Sequence, residues 1–335
     1  MTNIGIAITG SGSATPKVSL SNQELSQIVE TSDEWIGTRT GIRNRRLADT
    51  TESLCTLATK ASLAAIAQTN ITPADIDLII LATSTADDLF GTASQIQAEL
   101  GAQKAVAFDL TAACSGFLFG LVTGAQFIRT GVYQNVLLIG ADILSRWVDW
   151  EDRSTCVLFG DGAGAVILQA SEQDRLFGFE LRSDGSQNNC LNLSYQPQVK
   201  QIIEGVTVSQ GTYQPVTMNG KEVYRFAVQK VPEVIEKALF KANMSTEKID
   251  WLLLHQANQR ILDSVASRLK IPSEKVISNL ENYGNTSAAS IPIALDEAVR
   301  EGKVKPGDII AASGFGAGLT WGAAIFEWGI SIINN

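Results

Sequence analysis

The chain has 335 residues, 45% of them hydrophobic and 18% charged; this suits one large domain or two ordinary ones and excludes a disordered chain. With 26 basic against 35 acidic side chains the formal charge is −9 and the pI near 4.8, which argues against a general nucleic-acid binder. No run of about 18 apolar residues is present, so no spanning helix is expected, and Met1–Gly10 lacks the basic-then-apolar pattern of a secretory leader.

Taken in chain order, short β-rich runs at Thr2–Thr9, Leu78–Ser84, Lys104–Asp109, Val136–Ala141 and Gly164–Ala170 alternate with helical patterns at Ser53–Ala67, Ser94–Leu100 and Cys114–Thr130. That alternation is the signature of an α/β fold with strands buried on both faces. The pattern then recurs. Asp75–Leu81 resembles Lys248–Leu254 at an offset of 173, Lys104–Val106 resembles Lys275–Ile277 at 171, and Val136–Gly140 resembles Ile309–Ser313 at 173. A near-constant offset predicts two duplicated α/β halves, residues 1–172 and 173–335, meeting about a pseudo-twofold axis where pockets tend to form. At an offset of 171 Cys114 falls on Asn285, and the two positions are expected to face each other. The polar stretch Ser183–Gln214 reads as an extended insertion in the second half.

The chemistry concentrates in a few places. Cys55, Cys114, Cys156 and Cys190 form no C-x-x-C pair, so no zinc site is expected; free thiols point to the reducing cytoplasm. Cys114 follows a strand and opens an apolar helix whose Gly116, Gly120 and Gly124 form a side-chain-free stripe, read as a place where another backbone comes close. A helix N-terminus favours the thiolate. The single histidine, His255, ends the apolar run Trp251–Leu254, and Asn285 lies in Asn282-Tyr283-Gly284-Asn285-Thr286-Ser287. A thiolate attacks a thioester, and an imidazole with a carboxamide stabilises an enolate on a second thioester. Backbone N–H groups of the loop Gly314–Gly322, at Gly316 and Ala317, are candidates for an oxyanion hole. Gly160–Ala165 precedes a strand rather than a helix and reads as a structural turn, and Gly10-Ser11-Gly12 is an equally weak nucleotide-loop candidate.

Ser32–Ile36 with Arg39–Arg43, Ala113–Gly116, Phe159–Ala163, His255–Asn258, Asn282–Ser287 and Gly314–Gly316 together resemble β-ketoacyl-acyl-carrier-protein synthase III, in order along the whole chain. The resemblance implies a thiolase-like fold, two duplicated halves in a five-layered α-β-α-β-α arrangement, and a cytoplasmic homodimer. It implies an acyltransferase that condenses acetyl-CoA with malonyl-acyl-carrier protein to acetoacetyl-acyl-carrier protein, CO₂ and CoA, which begins fatty acid biosynthesis. No metal or cofactor is implied, since acetyl-CoA is a substrate. Cys114 would carry the acetyl group, and His255 and Asn285 would stabilise the enolate. Trp35 and Arg153 would hold the CoA adenine, Arg39 would meet its phosphates, and Gly220 would lie beside the pantetheine channel. Gln256, Arg260, Arg225 and Arg268 would dock the acidic carrier protein. Arg39, Arg43, Arg45 and Arg46 form the densest basic cluster, with Arg45 and Arg46 read as solvated charges. Asp88–Gln95 departs from the family's common form and leaves primer length open; Ala317 stands where glycine is frequent. A chalcone-synthase-like or secondary-metabolism condensing enzyme is the nearest alternative, and a catalytically idle carrier-protein binding module is the alternative outside enzymes.

Overall fold

A computed structural model describes residues 4–329. The N-terminal sheet comprises β1 (Gly5–Ala14), β2 (Leu78–Ala82), β3 (Val106–Leu110), β4 (Asn135–Ile143) and β5 (Asp161–Ser171), in the order β1-β5-β4-β2-β3. The C-terminal sheet comprises β6 (Leu176–Ser183), β7 (Trp251–Leu254), β8 (Val276–Ile277), β9 (Ile309–Gly316) and β10 (Thr320–Glu327), in the order β6-β10-β9-β7-β8. Both sheets run first, fifth, fourth, second, third. In both, the second strand pairs in parallel with the third and fourth, and the fourth pairs antiparallel with the fifth. The duplication read from the sequence is thus a duplication of topology.

Helices α1 (Leu54–Ala67), α2 (Gly116–Arg129), α3 (Gly220–Lys241), α4 (Gln259–Leu269) and α5 (Ser290–Arg300) complete the layers. Successive strand side chains point to opposite faces, and the cores follow that rule. Leu137, Ile139 and Ala141 of β4 pack with α1 on one face. Val136 and Leu138 pack on the other with α2, in a central core that also holds α5 residues and Leu253, Ile310 and Ala312 of the second sheet. Leu252, Leu254 and Ala311 face α3 and α4. The result is helix, sheet, paired central helices, sheet, helix, the five-layered thiolase-like arrangement.

Several sequence expectations need correction. The first strand begins at Gly5 and runs through Gly10-Ser11-Gly12 to Ala14, because it pairs with β5 along its whole length; Thr2 and Asn3 of the expected run lie outside the described residues. Asp161–Ala165 is strand and not turn, since Asp161–Ala163 already pair with β4 and Ala163–Ala165 with β1. The glycine stripe of α2 receives side chains and not a backbone: a Cβ on Gly120 would lie 2.4 Å from Leu138 Cδ1, and one on Gly124 would lie 3.0 Å from Leu168 Cδ1. Within Ser183–Gln214 the chain forms an exposed hairpin, Tyr195–Ile203 against Val206–Tyr213.

The duplication register also shifts near Cys114. The 3₁₀ turn Ala113–Ser115 leads into α2, and its counterpart Ser287–Ala289 leads into α5, 174 residues later. Ala113 and Ser287, which open the two turns, both adopt left-handed backbone, with φ of 46° and 52°. The counterpart of Cys114 is therefore Ala288 and not Asn285. Gly140 and Gly314 make room for these turns reciprocally. A Cβ on Gly140 would lie 2.2 Å from the Ala288 carbonyl oxygen, and one on Gly314 would lie 3.4 Å from that of Cys114.

Candidate active site

Each half delivers chemistry just past the ends of its parallel strands, where open α/β sheets collect ligands. The turn carrying Cys114 is tied down by Ser115, whose Oγ donates to the Ala112 carbonyl at 2.7 Å and meets Thr320 Oγ1 at 2.8 Å. Left-handed backbone at the non-glycine Ala113 stores strain of about 1–3 kcal/mol, a device frequent at reacting residues. Gly316 lies against this turn so closely that a Cβ there would come 2.6 Å from the Cys114 amide nitrogen. Ala317 packs partly buried against the core beneath α3.

His255 follows β7, its amide donating to the Ser313 carbonyl at 2.8 Å. The ring Nδ1 lies 2.7 Å from Ser290 Oγ, the first residue of α5, and its edge meets Phe315 at 5.5 Å between centroids. Asn285 bridges to Phe159 through backbone bonds to Leu158 and Gly160. Its Oδ1 accepts the Ser287 amide proton at 2.9 Å, which leaves Nδ2 as the group with protons to give. Cys114, His255 and Asn285 converge on one cleft of about 1270 Å³. All three are buried in it: Cys114 is 7% exposed, His255 2% and Asn285 7%.

The electrostatics differ from the helix-dipole expectation. Burial pushes the Cys114 thiol up to about 12, offset in part by the hydroxyl of Ser287, 3.3 Å from its sulfur. Burial pushes His255 down to about 3. The resting pair is a neutral thiol and a neutral imidazole, because desolvation outweighs the dipole in a dry pocket. Asp142, at the end of β4, is a residue the sequence reading missed. It is fully buried, and burial holds its carboxyl above the usual carboxylate range. Its signal was a lone carboxylate in the apolar run Val136–Ile143. Ser287 was passed over as part of a turn.

The same cleft is lined by Trp35, Arg39, Arg153, Gly220, Arg225 and Arg260, together with Lys221, which the sequence reading did not single out. The Arg39 and Arg153 guanidinium carbons lie 4.6 and 4.8 Å from the Trp35 ring centre, and Arg153 donates to the Glu30 carbonyl. Gly220 opens α3, whose N-cap is Asn219. Arg225 is paired with Glu222 at 2.9 Å, and Arg268 lies on α4 at 3.9 Å from Glu233. Two expectations fail. Gln256 is 1% exposed, its amide spent on the Leu254 and Ile277 carbonyls and the Asn279 amide, so it offers nothing to a docking partner. Arg45 is fully buried rather than solvated. It donates to Leu20, Asn22 and Val157, and burial lowers its guanidinium to about 10.

Residues 108–185 match the family model described as 3-oxoacyl-[acyl-carrier-protein (ACP)] synthase III, and residues 239–328 match that of its C-terminal part. The chain is 82% identical over 98% of its length, and 100% of the relative's, to a β-ketoacyl-[acyl-carrier-protein] synthase III of Trichodesmium erythraeum. It is 78% identical, with the same coverage, to one of Nostoc sp.. The fold superposes on the crystal structure of 3-oxoacyl-[acyl-carrier-protein] synthase III from Aquifex aeolicus with a TM-score of 0.89, at 45% identity, over 97% of this chain and 100% of that one.

Proposed function

The chain belongs to the β-ketoacyl-[acyl-carrier-protein] synthase III family, and from that membership we propose how its residues divide the reaction. It is a condensing acyltransferase that joins acetyl-CoA to malonyl-acyl-carrier protein and so initiates fatty acid synthesis. Cys114 takes the acetyl group; the malonyl thioester then loses CO₂, and its enolate attacks acetyl-Cys114. The observation that carries this division is the convergence of one thiol, one imidazole and one carboxamide at the floor of a single cleft. Neutral His255 is suited to donate rather than to remove a proton. With the Ser290 hydroxyl donating to Nδ1, Nε2 carries the proton and points its donor at the developing oxyanion beside Asn285 Nδ2. The backbone at Gly316 and Ala317 joins the Cys114 amide as donors to the first tetrahedral intermediate.

The cleft mouth supports CoA binding by Trp35, Arg39 and Arg153 with the pantetheine passing Gly220. Adenine stacked between Trp35 and Arg153 needs about 7 Å between them, two ordinary stacking distances. Arg153 therefore withdraws from its present 4.8 Å when CoA enters. Arg260, Arg225 and Arg268 are the docking residues for the acidic carrier protein. Incubation of the enzyme with acetyl-CoA followed by intact-mass measurement tests the core of this reading. One acetyl group on Cys114, absent from Cys114→Ser, is expected; an unmodified wild type would leave only a binding module.

A homodimer is the assembly this surface supports. Strand β3 is a sheet edge that exposes Val106, and the exposed Leu89 and Phe90 lie in the segment whose next residues, Thr92 and Ala93, donate to Asp109 of that strand. Sedimentation at twice 35.9 kDa is expected; a monomer at micromolar concentration would remove this assembly. Among the described residues no helix is long and apolar enough to cross a membrane. The thiols of Cys55, Cys114, Cys156 and Cys190 are unpaired, which supports a place in the reducing cytoplasm; recovery of the chain in a periplasmic fraction would contradict it.

A further inference from the structure

Attack on a thioester needs the Cys114 thiolate, yet burial and the Asp142 carboxylate both disfavour charge on that sulfur. His255 stays neutral and lends it no countercharge. What meets the sulfur is a hydroxyl from the opposite half of the molecule: Ser287 Oγ donates to Cys114 Sγ at 3.3 Å. Ser287 is buried, and among the described residues the sulfur is the only hydrogen-bond acceptor of its hydroxyl. The backbone aims that hydroxyl. The Ser287 amide donates to Asn285 Oδ1 at 2.9 Å, and the next amide, of Ala288, donates to Asp142 Oδ2 at 3.2 Å. Asp142 is anchored in turn by the Ser84 amide at 2.8 Å and Thr85 Oγ1 at 2.9 Å. Gly140 closes the other side, where an added Cβ would come 2.2 Å from the Ala288 carbonyl oxygen. Ser287 therefore spends its amide on the carboxamide assigned to the malonyl step and its hydroxyl on the sulfur assigned to the acetyl group.

We propose that Ser287 is a further catalytic residue, whose hydroxyl is the hydrogen-bond donor that stabilises the Cys114 thiolate, as nucleophile toward acetyl-CoA and as leaving group in condensation. This rests on the reading of Cys114 as the acyl carrier. The contact is weak to a neutral thiol or a thioester sulfur and strong to a thiolate, because hydrogen bonds to ionised acceptors are about twice as strong as neutral ones. Only an interaction that strengthens toward the transition state raises a rate, and this one does so in both half-reactions. In acetylation the thiol proton passes to water in the cleft, the new S–C bond forms, the thioester bond to CoA breaks, and the CoA thiolate takes a proton from water. In condensation the enolate carbon forms the new C–C bond, the S–C bond of acetyl-Cys114 breaks, and the departing thiolate takes a proton from water. Ser287 keeps its own proton throughout; it is a donor and not a proton carrier. Malonyl decarboxylation changes no charge on the sulfur, so that step does not use the hydroxyl.

The experiment compares the whole enzyme with its Ser287→Ala and Ser287→Gly variants. Both variants keep the amide that holds Asn285, and glycine suits the left-handed backbone at this position, φ 52°, so the second guards against strain or misfolding. Three rates are read: single-turnover acetylation by acetyl-CoA, iodoacetamide alkylation of Cys114 followed by the mass of its peptide, and CO₂ release from malonyl-acyl-carrier protein without acetyl-CoA. Acetylation and alkylation both pass through the thiolate and should fall about tenfold or more in the two variants, the usual worth of a hydrogen bond to a charged group. CO₂ release should stay within about twofold of wild type. The urea midpoint of Ser287→Gly should stay close to wild type, which separates the slower chemistry from a folding defect. Wild-type rates of acetylation and alkylation in both variants would overturn the proposal. Loss of CO₂ release as large as the loss of acetylation would overturn it too, since it would show that Ser287 only shapes the turn that carries Asn285. Failure of the wild type itself to acetylate would instead overturn the condensing reading.

Discussion

Removing His255 or Asn285 should not cost what removing Cys114 costs. In the division of roles proposed above both serve the oxyanion of the malonyl step, where one lost donor typically costs about 10²–10³-fold in turnover. His255→Ala and Asn285→Ala should therefore cut malonyl decarboxylation and condensation by that factor and leave acetylation of Cys114 within about threefold of wild type. Separate assays of acetyl-enzyme formation and CO₂ release measure the split; equal loss in both assays would remove it. The meeting of these three residues in one cleft was legible in the sequence because each is a polar or nucleophilic type at the end of a buried strand or turn. Asp142 and Ser287 were not, since each is defined by a contact between halves, Asp142 with the Ala288 amide and Ser287 with Cys114, that no spacing along the chain reports. Gln256 was misread for a related reason. It adjoins His255, but only the fold decides that its amide turns inward to Leu254 and Ile277.

Among the elements, the two turns that precede α2 and α5 carry the site, and each is admitted by a glycine on the opposite half. At Gly140 an added methyl would meet the Ala288 carbonyl oxygen and carbon at 2.2 and 2.9 Å, which are backbone atoms that cannot rotate away. At Gly120 it would meet the tip of Leu138, which can rotate. Gly140→Ala should lose about 1–3 kcal/mol or more to overpacking and slow condensation by displacing Ser287. Gly120→Ala gains about 1 kcal/mol of helix propensity and should sit close to wild type. Urea midpoints of the two variants test the contrast, and a Gly140→Ala variant as stable as Gly120→Ala would show that the turn yields freely. The strand repeat was visible in apolar runs that tolerate almost any register. The turn register was not, because it is fixed by positive φ at Ala113 and Ser287, and neither residue is one that sequence associates with that conformation. Lone carboxylates and buried charge escaped for a different reason, since only tertiary partners distinguish them from surface groups. Arg45 looks like a surface run with its neighbours until the fold gives it Asn22 and Val157 as acceptors.

For the whole molecule, a chain of net charge −9 has to receive an acidic carrier protein. Long-range repulsion between them is screened beyond about 10 Å at 0.1 M salt, so docking depends on local positive charge near the cleft. Arg225 is already paired with Glu222, and Arg268 reaches toward Glu233, so as proposed docking residues both start with part of their charge engaged. Arg260 lines the same cleft at the start of α4 and makes no ion pair among the described residues. It should therefore carry the largest single share of the docking energy. Arg260→Glu places like charge against the carrier and should raise KM for malonyl-acyl-carrier protein about tenfold or more, because like-charge contacts at an interface cost several kcal/mol. KM for acetyl-CoA should change by less than about twofold if the phosphates are met by Arg39. The salt response separates this from a folding defect. Wild-type KM for the carrier should climb as salt rises from 50 to 300 mM, whereas the variant, having lost the attraction that salt screens, should respond weakly or in the opposite sense. Equal salt slopes in the two enzymes would take Arg260 out of the docking surface and leave Arg225 and Arg268 to account for it.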